Sequence, residues 1–167
     1  MNSNCALLAK RTTAAAALAA SLAVSSLALA SESRSVSVAE RIQGADTVVV
    51  ATAASVNASW RENAFGDRLI VSRAVLHVEE TLKGARTPTV SMDFEGGTLD
   101  GFTLRVSSLP VLAPGERAVF FLKAAGGGVY RSHLQGQGIL KLDDQDQVKG
   151  SSLRLDEIRR AAAAFGK

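Results

Sequence analysis

Ala118-Val119-Phe120-Phe121-Leu122 is an apolar run with no polar residue to mark a solvent face. A half-exposed strand alternates apolar and polar residues, so an unbroken run predicts a central strand covered on both sides. Ahead of it, Ala113-Pro114-Gly115-Glu116 predicts a tight turn. Proline presets the dihedral at the second position and glycine accepts the positive one that follows. Beyond it, Gly126-Gly127-Gly128 precedes an expected strand over 129–134, and 139–142 makes another. Asp143-Asp144-Gln145-Asp146 then turns the chain into a final short strand near Val148.

Working back towards the N-terminus, Thr47-Val48-Val49-Val50-Ala51-Thr52 is β-branched and apolar, a strand continuing towards Trp60. Residues 61–68, with Asn63, Gly66 and Asp67, read as a hairpin loop. A second long strand over 69–82 ends at Lys83-Gly84, with Ile70, Ala74, Leu76 and Val78 as its core face. Residues 89–95 alternate cleanly, Val90, Met92 and Phe94 on one side and Ser91, Asp93 and Glu95 on the other. Gly96-Gly97 breaks that strand, and 102–106 is expected to resume it as a partner.

Helices are expected at both ends of this β-rich stretch. Ser37-Val38-Ala39-Glu40 is a capping box, predicting a short helix over 38–43 with Gly44 as its stop. Near the C-terminus, Leu155, Ile158, Ala162 and Phe165 recur at helical spacing, and Asp156 and Glu157 favour the first turn. The fold class is therefore mainly β: a five- to seven-stranded antiparallel barrel with a short N-terminal helix and a C-terminal amphipathic helix packed on it.

The first thirty residues read as a secretory signal peptide. Lys10-Arg11 precedes an Ala/Leu-rich run that ends in Ala28-Leu29-Ala30, so cleavage is expected after Ala30. The competing reading is a retained anchor, but the run is barely long enough to span a bilayer and is diluted by Ser21, Ser25 and Ser26. Residues 31–167 then form a single domain without cysteine, because Cys5 leaves with the leader. Thiol catalysis and cysteine–zinc sites are excluded, and packing alone must hold the fold. Removing Lys10 and Arg11 leaves 17 basic against 16 acidic residues, which is no basic field for nucleic acid. The expected location is the periplasm or the exterior, with no membrane span after cleavage.

Motifs that carry chemistry are sparse. By strand parity His77 and His133 face outward, which argues against a general base or ligand at either position. Asp93 and Glu95 share a strand face, yet a solvated polar face has the same pattern. Asp143-Asp144-Gln145-Asp146 lacks the glycine and closing glutamate of a calcium loop. The glycine pairs have no phosphate-loop ending. Asn57-Ala58-Ser59 is a formal glycosylation sequon, meaningful only in a eukaryotic secretory pathway. No catalytic residue, metal ligand or cofactor is assigned. The candidate binding residues are the apolar Leu99, Phe102, Leu109 and Val111 in the glycine-rich irregular segment 96–114. On a loop, such side chains either plug the barrel or remain exposed as a contact patch.

Two stretches carry a family resemblance. Ala45-Asp46-Thr47-Val48-Val49-Val50-Ala51-Thr52 and Val75-Leu76-His77-Val78-Glu79-Glu80-Thr81-Leu82-Lys83-Gly84 resemble the opening of netrin/TIMP-like domains. Those domains begin with a helix, an Ala-Asp-led apolar strand and a second strand ending in Lys-Gly. Gly96-Gly97, Gly101, Val106, Pro110 and Pro114-Gly115-Glu116 look like a group of uncharacterised exported bacterial proteins. The resemblance implies an OB-type five-stranded barrel with terminal helices against it. The animal metalloproteinase inhibitors of this family use an N-terminal cysteine, which 31–167 lacks, so that mechanism does not carry over. The leading functional expectation is an exported binding or interaction module without catalytic activity, recognising a protein partner. The alternatives are an accessory or inhibitor protein of a secreted protease and, last, a metal-dependent hydrolase.

Overall fold

The computed structural model describes residues 36–63, 65–109 and 111–165. The expected leader and its cleavage after Ala30 lie outside the described residues. The element order is α1 (Val38–Gly44), β1 (Thr47–Glu62), β2 (Arg68–Lys83), β3 (Thr89–Glu95), β4 (Gly97–Leu99), β5 (Phe102–Leu104), β6 (Arg117–Ala124), β7 (Val129–Ser132), β8 (Ile139–Lys141) and α2 (Leu155–Phe165). The fold is mainly β. Six strands form one sheet in the order β1-β2-β3-β7-β6-β8, and pairing of β1 with β6 closes it into a ring. The short strands β4 and β5 form a separate hairpin.

One expectation about direction fails. β3 and β7 run parallel, through Ser91 opposite Val129 and Met92 opposite Tyr130. The closed circuit contains β1, β2, β3, β7 and β6. An odd number of strands cannot alternate direction all the way round, so one parallel pair is unavoidable. Every other pairing is antiparallel.

β6 explains its own composition. Ala118, Phe120 and Leu122 point into the ring, where they meet Val49, Ala51, Leu76 and Met92. Val119 and Phe121 point outward into a second core made by Val48, Val50, Ile42 of α1 and Leu155, Ile158 and Ala162 of α2. Both faces are dry, and all five residues from Ala118 to Leu122 are fully buried. Irregularities in the β1–β2 register after Val48, Val50 and Ala53 bend β1, so that it serves both β2 and β6.

The polar ends of the elements are held as firmly. Ser37 Oγ accepts from the Glu40 amide at 3.2 Å while the Ser37 amide donates to the Glu40 carboxylate at 2.9 Å, the expected capping box. Lys83 Nζ donates to the carbonyls of Ile42 and Ala45 at 2.8 and 2.7 Å, neutralising the negative end of α1. The Asp46 carboxylate accepts from the Ala124 amide and Lys123 Nζ, both at 3.0 Å. The Ala-Asp and Lys-Gly segments thus tie α1 to the ring.

Three local expectations are corrected. Gly44 belongs to α1 rather than stopping it, and Ala45 takes the cap in an extended conformation. A side chain at 44 would strike the His133 imidazole as it stands and force that ring to move. Residues 102–104 pair with 97–99 rather than with β3. The cause is Asp100-Gly101, both with positive φ (52° and 80°), which folds the chain straight back. Phe165 does not join the helix–sheet core and is 43% exposed, because it lies at the trailing edge of the apolar stripe in the last turn.

Candidate functional site

The segment 96–114 closes over one end of the ring. Gly96 and Gly97, with φ of 109° and 134°, let the chain leave β3 and cross the sheet. A Cβ on Gly97 would crowd the Ser72 hydroxyl and Ala58, so only glycine allows this approach. The Ser72 hydroxyl donates to the Gly96 carbonyl at 2.6 Å and anchors the crossing. Further along, Gly115 has φ of 82° and the Glu116 amide donates to the Ala113 carbonyl at 3.2 Å, which is the turn that Pro114-Gly115 predicted.

The four candidate binding residues fall in two places. Leu99 and Phe102 face each other across the β4–β5 hairpin. Phe102 is 64% exposed and packs edge-on against Trp60, with ring centres 6.0 Å apart. Trp60 Nε1 donates to the Asp100 carboxylate at 3.1 Å, and the Arg68 guanidinium lies 4.9 Å above the indole ring. Leu99 is half-buried. Leu109, also half-buried, and Val111, 68% exposed, lie on the wall of a cleft of about 480 Å³. Val56, Ala58 and Phe94 form the opposite wall on the sheet. Lys141 Nζ holds the Val111 carbonyl and the Glu116 carboxylate, fixing this irregular stretch of the wall to β8.

The residue that plugs the ring is Leu112, which was not among the candidates. It is 4% exposed and belongs to the interior core with Phe120 and Leu76. Its parity, opposite to that of Val111, was the available signal. The Asp100-Gly101 dipeptide between Leu99 and Phe102 is likewise a hairpin signal in the sequence.

Titratable groups are mostly engaged. His77 is exposed, but His133 is half-buried in the turn after β7, and burial lowers its pKa with Lys123 adding to the effect. The outward reading of His133 fails because β7 ends at Ser132 and strand parity no longer applies. The Asp93 carboxylate is gripped by Arg73 at 2.6 and 2.7 Å, and that bonding holds it below the usual carboxylate range. Glu95 is exposed at the cleft. In the acidic turn, Asp143 accepts from the Gln145 and Gln147 amides at 2.9 Å, and Asp146 pairs with Arg117 at 2.6 Å. Among the described residues, no three His, Cys, Asp or Glu side chains are placed to hold a metal. Among those residues, too, no helix is long and apolar enough to cross a membrane. No protein-family model matches the chain, and no curated protein matches it.

Proposed function

We propose that the chain is an exported binding module without catalytic activity, built on a netrin/TIMP-like, OB-type barrel. It recognises a protein partner through the outward side of residues 96–114. The observation that supports this reading is where large apolar side chains meet solvent. Phe102 and Val111 are 64% and 68% exposed, and both lie at the mouth of the ring. Apolar side chains held outward on a braced loop suit a contact surface, since aromatic anchors dominate interface energetics.

The test compares Phe102→Ser and Val111→Ser with Phe65→Ser, which alters a still more exposed residue on the β1–β2 loop. A partner captured from envelope extract by the unaltered protein should be retained by the Phe65 variant. It should be lost from the other two while both remain cooperatively folded, with thermal midpoints lowered by no more than a few degrees. Equal capture by all four proteins overturns the reading.

A further inference from the structure

We propose that the cleft at the mouth of the ring binds a fatty-acid-type amphiphile, a linear hydrocarbon chain ending in a carboxylate. The volume of about 480 Å³ falls within the range of small-molecule sites. The walls that would receive the chain are Val56, Ala58 and Phe94 on one side and Leu104, Leu109 and Val111 on the other. Three of the four hydroxyls in the walls are already engaged: Ser72 donates to the Gly96 carbonyl, and Thr98 and Thr103 bond each other at 3.0 Å, while Ser107 carries the fourth. A peptide laid in the cleft would bring amide groups that need partners and would find few. A hydrocarbon brings none.

The rim supplies the charge. Arg105 lines the cleft, is exposed, and has no ion pair or hydrogen bond among the described residues. Neighbouring arginines of this end are committed, Arg73 and Arg61 to Asp93 and Arg68 to the Trp60 ring. A free guanidinium beside an apolar cavity fits a carboxylate head group, which it can bind with two parallel bonds. Glu95 lines the same cleft and confines the anion to the Arg105 side. The site meets the protein-partner surface only at Val111, and a partner seated on Phe102 leaves the rest of the cleft open.

Titration calorimetry on the purified protein tests this with dodecanoate, decanoate, dodecanol, dodecyltrimethylammonium and an apolar tripeptide. Dodecanoate should bind saturably with one molecule per chain. Each methylene contributes about fourfold, so decanoate should bind roughly fifteenfold more weakly. Arg105→Gln should weaken dodecanoate about fivefold and leave dodecanol unchanged, whereas Glu95→Gln should tighten dodecanoate up to about fivefold. Ala58→Trp, which fills the cleft, should abolish binding at an unchanged thermal midpoint. Leu109→Trp serves the same purpose if Ala58→Trp does not fold. Equal affinity for the cationic amphiphile, indifference to Arg105→Gln, or tighter binding of the tripeptide overturns the proposal. Equal partner capture by the unaltered protein and its Phe102, Val111 and Phe65 variants, with dodecanoate binding intact, would instead overturn the protein-partner reading alone.

Discussion

The helix-covered wall of the ring and its open mouth are built from the same two long strands, and they differ in what lies on them. From Thr47 to Ala53, β1 is buried on nearly every residue, with one face in the ring and the other under α1 and α2. Beyond Ala53 its burial fades to the exposed Arg61 and Glu62, because β6 accompanies it only from Thr47 to Thr52. One end therefore has two cores and the Lys83 and Asp46 clamps. The other has a hairpin of two three-residue strands, held by the Ser72–Gly96 hydrogen bond and by the contacts of Trp60 with Phe102 and Asp100. Stability is concentrated where both faces are covered, and a surface able to adjust to a ligand is left at the other end.

The largest expected effects lie in the two cores. Phe120→Ala and Phe121→Ala should each cost about 3–5 kcal/mol, although one empties the ring and the other empties the space under the helices. Leu112→Ala, which unplugs the mouth from inside, should cost about 2–5 kcal/mol. Phe102→Ala should cost no more than about 0.5–1.5 kcal/mol, the range of an aromatic pair. Denaturant midpoints measure all four, and a Phe102 loss equal to that of Phe120 would erase the distinction between the ends.

Smaller effects test the clamp at the covered end. Lys83→Met removes a charged donor from the last carbonyls of α1 and should cost about 1.5–3 kcal/mol. Gly44→Ala is more discriminating. Alanine is the better helix former by about 1 kcal/mol, but here its methyl meets the His133 ring. The expected outcome is a net loss of about 1–2 kcal/mol rather than a gain, read by thermal unfolding.

These positions also show what local sequence can and cannot reveal. The doubly covered β6, the capping box at Ser37 and the Pro114-Gly115 turn depend on neighbouring residues, so pattern and turn chemistry reached them. The role of Gly44 depends on His133, some ninety residues away, and no local rule contains that contact. The parallel β3–β7 pair follows from closure of the ring, a property of the whole circuit rather than of either strand. The four candidate binding residues lie on one segment of sequence, but their division between hairpin and cleft wall was illegible. The opposite wall comes from Val56, Ala58 and Phe94, which read only as ordinary strand residues.

Protonation separates the ends further. Burial holds the His133 pKa below its ordinary 6.5, so above that pH the ring is neutral in both folded and unfolded chains. As the pH falls below that value the unfolded chain takes up the proton first, and stability declines until the folded pKa is passed. Hydrogen bonding from Arg73 holds Asp93 below its ordinary 3.8. Burial alone would raise Glu79, but bonds from Thr52 and Arg117 outweigh it and leave its pKa lowered. Their contribution is present above the ordinary carboxylate values and lost as the pH falls through the lowered folded ones. Stability should therefore rise with pH in two windows. His133→Asn should flatten the upper one, from about pH 5 to 7, and Arg73→Gln the lower one, below about pH 4.5. Chemical denaturation at a series of pH values reads both, and a His133 variant that flattens only the lower window contradicts the buried-ring assignment.

The smallest effect is the most local. Trp60 is the only tryptophan in the chain, and it touches the β4–β5 hairpin through Asp100 and Phe102 rather than either core. Trp60 sits on β1 opposite Ile70, at the mouth end of the sheet, so its fluorescence is sensitive to opening of the hairpin, while far-UV circular dichroism reports the ring as a whole. A hairpin held by so few contacts should open at lower free energy than the whole fold. Trp60 emission should begin to shift at denaturant concentrations where the circular dichroism is still native. Phe102→Ala should move that early shift lower still without moving the main transition by more than its own small cost. Dodecanoate seated in the cleft should push the early shift upward, since it bridges the hairpin side to the sheet. Coincident transitions by the two probes, unmoved by Phe102→Ala, would mean that the mouth unfolds only with the ring and is no separate unit.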